Sequence, residues 1–154
     1  MIGKYLPIEF RSIKTLILPG SASTIVYTDA NEHVGAGVTE SNGFMFQEIF
    51  DKEMHQWSSV PGQLLHINSL EFYSTYRVLA SPSLLAYSKT LRVKTDNAAS
   101  LSWLQTLAIP ESVTRDREFL LSVLRLLKDR LKVYDSVSFE FVPTKGVLKN
   151  ISEF

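Results

Sequence analysis

The feature that most constrains this chain is an apolar run that ends in an acid and is followed by a turn and a glycine-rich run. Residues 25–27 are β-branched or aromatic and predict a buried strand that ends at Asp29. Turn-forming residues occupy 30–33, and the glycines of 35–37 make the returning strand thin enough for another group to approach its backbone. An Asp is rarely buried unless it is paired or binds a metal, so Asp29 is a candidate ligand. Its alternative role is to cap the bend with its side chain.

The composition fits one globular domain. The chain has 154 residues, of which 45% are hydrophobic, and this is enough for a sizeable core. Sixteen basic residues balance sixteen acidic ones, so the overall charge does not indicate a nucleic-acid-binding protein. The absence of cysteine excludes disulfides and thiolate zinc sites. No apolar run is as long as a membrane span, so we expect no membrane partner and an intracellular location, with cytoplasm and nucleus both open.

Hydrophobic periodicity and turn residues predict the element order β-β-β-α-β-α-α-β-(α). The predicted strands are 24–29, 34–39, 44–49, 91–95 and 137–142. The predicted helices are one capped by Asn68 or Ser69 that ends near Ser81-Pro82-Ser83, then 98–107, 111–132 and a short last helix at 147–154. Antiparallel strands followed by α/β crossovers predict an α/β fold with one mixed five-stranded sheet flanked by helices. We expect 24–154 to be this domain and 1–23 to be a lead-in or linker.

Three acids fall where the predicted strands end or a helix begins. Asp29 ends the first strand, Glu71 lies in the predicted first turn of the first helix, and Asp96 ends the fourth strand. Such positions commonly gather at one edge of a mixed sheet, although each acid alone also fits an ordinary turn or helix-end role. Three carboxylates repel one another unless cations lie between them, and oxygen ligands favour magnesium or manganese. Two such ions can activate a water and stabilise a leaving oxygen in phosphodiester hydrolysis.

Four motifs, in order, carry a family resemblance. They are Tyr27-Thr-Asp-Ala-Asn with Gly35-Ala36, His66-Ile-Asn-Ser-Leu-Glu71, Lys94-Thr-Asp-Asn-Ala-Ala-Ser100, and Phe139-Glu-Phe-Val-Pro-Thr-Lys-Gly-Val-Leu-Lys-Asn150. Together they resemble the ribonuclease H domain of retroelement and reverse-transcribing-virus polymerases, and the second motif is closest to DIRS-type retrotransposons. The resemblance covers residues 24–150, which is nearly the whole chain.

The resemblance implies a ribonuclease H-like fold and an endonuclease that cuts the RNA strand of an RNA–DNA hybrid. It implies that the three acids bind two Mg²⁺ or Mn²⁺ ions, and that the nucleic acid is contacted by Asn68, Asn97 and Lys145. Asn68 can reach the sugar edge of the RNA, where only RNA offers a 2′-hydroxyl. The protein partner it implies is a reverse transcriptase domain in a parent polyprotein.

The chain departs from the family pattern at Asn150, where the family usually carries a fourth catalytic Asp. An amide oxygen can coordinate a cation but brings no negative charge, so we expect Asn150 to weaken the second ion's binding and to impair activity. The chain also stops at Phe154, which predicts a truncated C-terminal helix.

Two other functions stay open. A ribonuclease H-like module that has lost catalysis would act as a binding or scaffold domain, and the missing fourth acid favours this alternative. A junction resolvase or integrase would use the same fold. The Asp–Glu–Asp order and the helix-borne Glu71 argue against that second alternative.

The remaining polar and aromatic side chains are expected to have ordinary structural roles. His33 is expected to be solvated, and His66 is expected to pack or to cap the helix that follows it. Trp57 and Trp103 are expected to be core or loop anchors rather than platforms for stacked bases. A solvated face that could also grip a DNA backbone is predicted for Arg115, Arg117, Lys128, Arg130 and Lys132.

Overall fold

A computed structural model describes residues 23–143, and its strands form a single sheet. The strands are β1 (Thr24–Ala30), β2 (Val34–Thr39), β3 (Met45–Ile49), β4 (Thr90–Thr95) and β5 (Ser136–Phe141). Their order across the sheet is β3-β2-β1-β4-β5. The β1–β2 and β2–β3 pairs are antiparallel, while β1–β4 and β4–β5 are parallel. The predicted mixed five-stranded sheet is therefore confirmed.

Five helices accompany the sheet in this part of the chain. They are α1 (Lys52–His55), α2 (Ile67–Ala80), α3 (Pro82–Tyr87), α4 (Ala98–Thr106) and α5 (Arg117–Leu131). Two of them were not predicted. The helix α1 lies in an expected loop and begins because the side chain of Asp51 accepts a hydrogen bond from the Met54 amide at 3.0 Å. The helix α3 begins at Pro82, where proline's fixed φ suits a first helical position, although this residue was expected only to end α2.

The long helix α5 begins later than predicted. Its first residue is Arg117, whereas a start at Glu111 was expected. The preceding segment makes turns instead, in which the Val113 amide donates to the Pro110 carbonyl at 3.0 Å. Asp116 then adopts a left-handed backbone conformation with φ of 59°. This conformation interrupts the helical path, so α5 cannot extend further towards Glu111.

The helix α2 packs closely on β2 because that strand has glycines where the helix crosses it. A β-carbon at Gly35 would overlap the hydroxyl of Ser74, and one at Gly37 would overlap the side chain of Val78. Both contacted residues belong to α2. The predicted thinness of the returning strand is thus confirmed, and the group that approaches it is this helix.

The hydrophobic core lies between the sheet and the helices α2, α4 and α5. It contains Val26 from β1, Phe72 from α2 and Leu127 from α5, each with no exposed surface. Trp103 is buried and meets Phe72 edge-on with ring centroids 5.7 Å apart, as expected for a core anchor. Trp57 is 61% exposed and does not join the core.

Some predictions fall on segments at the two ends of the chain. Lys145, Asn150 and the predicted last helix lie outside the described residues, as does the 1–23 lead-in up to its final residue. Within residues 23–143, none of the helices combines the length and the apolar character that crossing a membrane requires.

Candidate metal centre

Asp29, Glu71 and Asp96 come together at one edge of the sheet. Each offers one carboxylate oxygen, and these three oxygens all lie within 4.8 Å of one another. The strands β1 and β4 are adjacent and parallel, so Asp29 near the end of β1 and Asp96 just after β4 fall at the same edge. Glu71 approaches from α2, which packs on β1. The predicted convergence of the three acids is found in the structure.

The start of α2 differs from the prediction in a way that changes the role of its first residues. The N-cap is His66, whose ring Nδ1 accepts a hydrogen bond from the Asn68 amide at 3.0 Å. The predicted capping role of His66 is confirmed, and the predicted caps at Asn68 and Ser69 are wrong. Because the helix begins at Ile67, Glu71 lies in its second turn rather than its first. The side chains of Asn68 and Ser69 are therefore free to bind other segments.

Asp29 and Glu71 are buried, Asp96 is half-buried, and Asp29 has few protein partners. Asp29 is 4% exposed and Glu71 is 5% exposed. The Ala30 amide donates to Asp29 Oδ1 at 2.9 Å, whereas Asp29 Oδ2 has no hydrogen-bond partner. Burial and repulsion by Asp96 raise the pKa of Asp29 to about 6. Burial and repulsion by both aspartates raise the pKa of Glu71 to about 10, so the cluster on its own resists carrying its full negative charge.

This donor set fits a hard divalent cation. It consists of carboxylate oxygens, the ligands that Mg²⁺ and Mn²⁺ prefer. A buried polar atom without a partner is uncommon in folded proteins, and Asp29 Oδ2 is such an atom at the centre of the cluster. A cation there would give this oxygen a partner and offset the repulsion among the three acids. Among residues 23–143 no other group of histidines and acids is close enough to hold a metal.

Two asparagines with a predicted nucleic-acid contact lie side by side near the cluster. Asn97 Nδ2 donates to Asn68 Oδ1 at 2.9 Å. Asn97 Oδ1 accepts from the Ser100 amide at 2.7 Å, so Asn97 caps α4 as predicted. Each asparagine is one to three residues from an acid of the cluster along the chain. The two amides therefore have a fixed orientation beside the carboxylates.

The predicted solvated face near α5 is found only in part: Lys128 and Lys132 are exposed, whereas the three arginines are half-buried and bind carbonyls. Arg115 Nη2 donates to the Leu64 carbonyl at 2.6 Å, and Arg130 Nε donates to the Leu79 carbonyl at 2.9 Å. Arg117 Nη1 donates to the Val113 carbonyl at 2.9 Å. Because guanidinium groups have several donors in a fixed fork, they suit exposed carbonyls at the ends of loops and helices. These three side chains therefore join segments of the fold. His33, in contrast, is exposed as predicted.

Asp116 is a polar residue to which the sequence patterns gave no role. It is 1% exposed and accepts hydrogen bonds from the residues that lead into α2. The predicted helix 111–132 placed Asp116 inside its first turns, where an acid is ordinary. Its actual partners are about 50 residues away along the chain, and no local pattern identifies them.

Comparison with solved structures gives the fold. RNase H1 from the halophilic archaeon Halobacterium salinarum NRC-1 matches with a TM-score of 0.59 and 11% identity, over 82% of this chain and 89% of that chain. The N-terminal RNase H domain of a Mycobacterium tuberculosis protein, solved as a fusion with maltose-binding protein, matches with a TM-score of 0.54 and 10% identity, over 82% and 91%. The chain has a ribonuclease H-like fold.

The predicted ribonuclease H-like fold is thus confirmed from the backbone. No protein-family model and no curated protein matches the sequence. At 10–11% identity the likeness to the solved structures concerns the fold, and an origin in a DIRS-type retroelement stays a prediction. In the ribonuclease H-like sheet of this chain, the three acids lie where two parallel strands end beside each other.

Proposed function

We propose that this chain is a ribonuclease H-type endonuclease domain that hydrolyses the RNA strand of RNA–DNA hybrids. The observation that carries the proposal is the cluster of three carboxylates at the edge of a ribonuclease H-like sheet, of which Asp29 and Glu71 are buried and Asp29 has an oxygen without a partner. The two similar structures are an RNase H1 and an RNase H domain. The cluster's donor chemistry supports the use of Mg²⁺ or Mn²⁺.

In this proposal Asp29, Glu71 and Asp96 hold two divalent ions. When bound, such ions supply Lewis-acid chemistry that activates water and stabilises the leaving oxygen of a phosphodiester. The protein's own contribution is to keep three oxygens together and to shield the carboxylates of Asp29 and Glu71 from bulk water. Glu71, with its raised pKa, gives up a proton when the ions bind, so ion affinity rises with pH.

The two neighbouring asparagines are proposed to select RNA over DNA. The hydrogen bond from Asn97 occupies the Asn68 side-chain oxygen, and Asn68 still has an amide group that can donate to a 2′-hydroxyl. A deoxyribose offers no partner at that position. Lys145, outside the described residues, is proposed to contact the nucleic-acid backbone.

The remaining assignments are also part of this proposal. Asn150 would occupy the place of a fourth catalytic acid, and its neutral amide would bind the second ion weakly. Residues 24–154 would form the domain, with 1–23 as a linker towards a reverse transcriptase domain in a parent polyprotein. The alternative is a catalytically inactive scaffold domain, which Asn150 favours.

A cleavage assay tests the proposal. An RNA–DNA hybrid labelled on its RNA strand is incubated with the protein and Mg²⁺ or Mn²⁺. We expect cleavage of the hybrid and none of duplex DNA. Asp29→Asn should reduce the rate by more than about 100-fold, the upper figure for losing a residue that merely orients a metal ligand. Asp129→Asn, the same change at an acid whose side chain is 74% exposed on α5, should leave the rate unchanged.

Three outcomes of this assay bear on the choice between a nuclease and a scaffold domain and on the effect of Asn150. No cleavage by the wild type, together with no Mn²⁺-dependent rise in melting temperature, would support the scaffold function. Cleavage that increases in Asn150→Asp would show that Asn150 impairs a working nuclease. An Asn150→Asp variant no more active than the wild type would contradict the expected impairment.

A further inference from the structure

Asp116 lies at the start of α5, but its side chain binds a different segment of the chain. Its φ of 59° lies in the left-handed region, which residues other than glycine rarely adopt. It occupies the N-cap position of α5, yet its side chain makes no hydrogen bond to that helix. An Asp at an N-cap ordinarily accepts a hydrogen bond from the first turn. The strained backbone and the forgone cap therefore indicate a role elsewhere.

The carboxylate of Asp116 binds the segment that leads into α2. Oδ1 accepts from the Ser59 amide at 2.8 Å, and Oδ2 accepts from the His66 amide and the Ser69 hydroxyl at 2.9 Å each. Arg115 Nε lies 3.2 Å from Oδ1. Burial alone would raise the pKa of Asp116, but the hydrogen bonds from Ser59, His66 and Ser69 lower it overall. Asp116 is therefore a charged and well-satisfied carboxylate inside the protein.

Both partners of Oδ2 belong to the part of α2 that carries Glu71. His66 is the N-cap of the helix, and Ser69 precedes Glu71 by two residues. A helix rises about 1.5 Å per residue, so this attachment lies within one turn of the acid. The other end of α2 is held independently, since the Leu79 carbonyl accepts from Tyr134 and from Arg130. The attachment at Asp116 thus holds the end of α2 that carries Glu71, separately from the contacts at the far end of the helix.

We propose that Asp116 is a positioning residue for Glu71: its carboxylate holds the first turn of α2 so that Glu71 stays within reach of Asp29 and Asp96. This inference rests on the proposed function of those three acids as a metal centre. Asp116 lies 45 positions from Glu71 along the chain. In this inference it influences ion affinity through the position of Glu71. A purely structural role for Asp116 would change stability and leave ion affinity as it is.

The test compares the affinity for Mn²⁺ in variants that loosen opposite ends of α2. Asp116→Asn keeps the shape of the side chain but replaces one acceptor oxygen with a donor. We expect about 10-fold weaker Mn²⁺ binding by calorimetry, the lower figure for losing a residue that orients a metal ligand. Tyr134→Phe removes one hydrogen bond from the far end of α2. It should lower the melting temperature and leave Mn²⁺ affinity unchanged.

Circular dichroism at the calorimetry temperature shows whether each variant is folded. If Asp116→Asn is not folded, Ser69→Ala replaces it, since this change removes a single donor to Asp116 Oδ2 and should also weaken Mn²⁺ binding. Wild-type affinity in the folded Asp116→Asn or Ser69→Ala variant would overturn the inference. An equal loss in Tyr134→Phe would overturn it as well, because the effect would then follow stability alone.

The same experiments distinguish this inference from the proposed function. A wild type that cuts no hybrid, beside an Asp116→Asn variant with weakened Mn²⁺ binding, would overturn the proposed nuclease and support the positioning role. A wild type that binds no Mn²⁺ would overturn both. Hybrid cleavage with unchanged Mn²⁺ affinity in Asp116→Asn would support the nuclease and overturn the positioning role.

Discussion

Asp29 and Asp116 are buried to almost the same extent, at 4% and 1% exposed, yet their surroundings are opposite. Asp116 accepts hydrogen bonds from two backbone amides and a hydroxyl and lies against Arg115, and its pKa is lowered overall. Asp29 accepts one backbone hydrogen bond, has one oxygen without a partner, and its pKa is raised to about 6 by burial and by Asp96. Burial therefore does not distinguish these two acids. The supply of protein donors does, because a buried carboxylate that the protein leaves unsatisfied is available to a ligand.

The largest effect that separates the two sites should appear in stability. Asp116→Ala leaves buried donors of Ser59, His66 and Ser69 without an acceptor, so we expect the free energy of unfolding to fall by about 3 kcal/mol or more. Urea denaturation of the metal-free protein measures this change. Asp29→Asn, tested in parallel, should leave stability unchanged or increase it, because it removes a repelling charge. A comparable loss in both variants would contradict the contrast between the two sites.

An effect of intermediate size is expected in how the stability of the metal-free protein depends on pH, because of Glu71. The pKa of Glu71 is raised from 4.5 to about 10, so the folded state favours the neutral acid. The corresponding stability is fully present below about pH 4.5 and is lost progressively as the pH rises towards 10. The side chain in Glu71→Gln stays neutral, so at pH 8 this variant should be more stable than the wild type by roughly 1–3 kcal/mol. Each kcal/mol should raise the melting temperature by about 2–4 °C.

Melting curves recorded with a chelator between pH 4 and pH 9 measure this difference. The gain in Glu71→Gln should disappear at the acid end of the range, where Glu71 is neutral in the folded and unfolded states alike. Parallel profiles for Glu71→Gln and the wild type would show that Glu71 is not held in a repelling cluster. Asp116→Asn should show no such gain at any of these pH values.

The smallest expected loss of stability comes from removing a neutral hydrogen bond, for comparison with the charged attachment at Asp116. Tyr134 donates to the Leu79 carbonyl at 2.7 Å, at the end of α2 remote from the acids. Tyr134→Phe removes this bond without leaving a buried charge, so the expected loss is about 1 kcal/mol in urea denaturation. A loss as large as that of Asp116→Ala would show that charge contributes little to the attachment of α2.

The strands could be predicted from the sequence because their signals are local. Alternating apolar residues in 91–95 and 137–142 and the turn residues between the first three strands placed every strand to within a residue at each end. The three acids were also predictable, since each is marked by its place at a strand end or near a helix start. Their convergence follows from the parallel pairing of β1 and β4.

The missed features depend on contacts between distant segments. Asp116 falls inside the predicted helix 111–132, and only the folded chain brings Ser59, His66 and Ser69 to its carboxylate. The late start of α5 is linked to the same residue, because the left-handed conformation of Asp116 keeps the helix from extending back towards Glu111. The contacts of the arginines could not be predicted for a similar reason, since tertiary structure fixes the positions of the Leu64 and Leu79 carbonyls that bind them.

The glycines of β2 have a consequence for anyone who would redesign this domain. Gly35 lies beneath Ser74, three residues beyond Glu71, and the helix can descend to its present height only because no methyl group intervenes. The spacing between Glu71 and the two aspartates is therefore set in part by a strand that contributes none of the three acids. Gly35→Ala would lift the helix and widen this spacing while leaving all three carboxylates in the sequence.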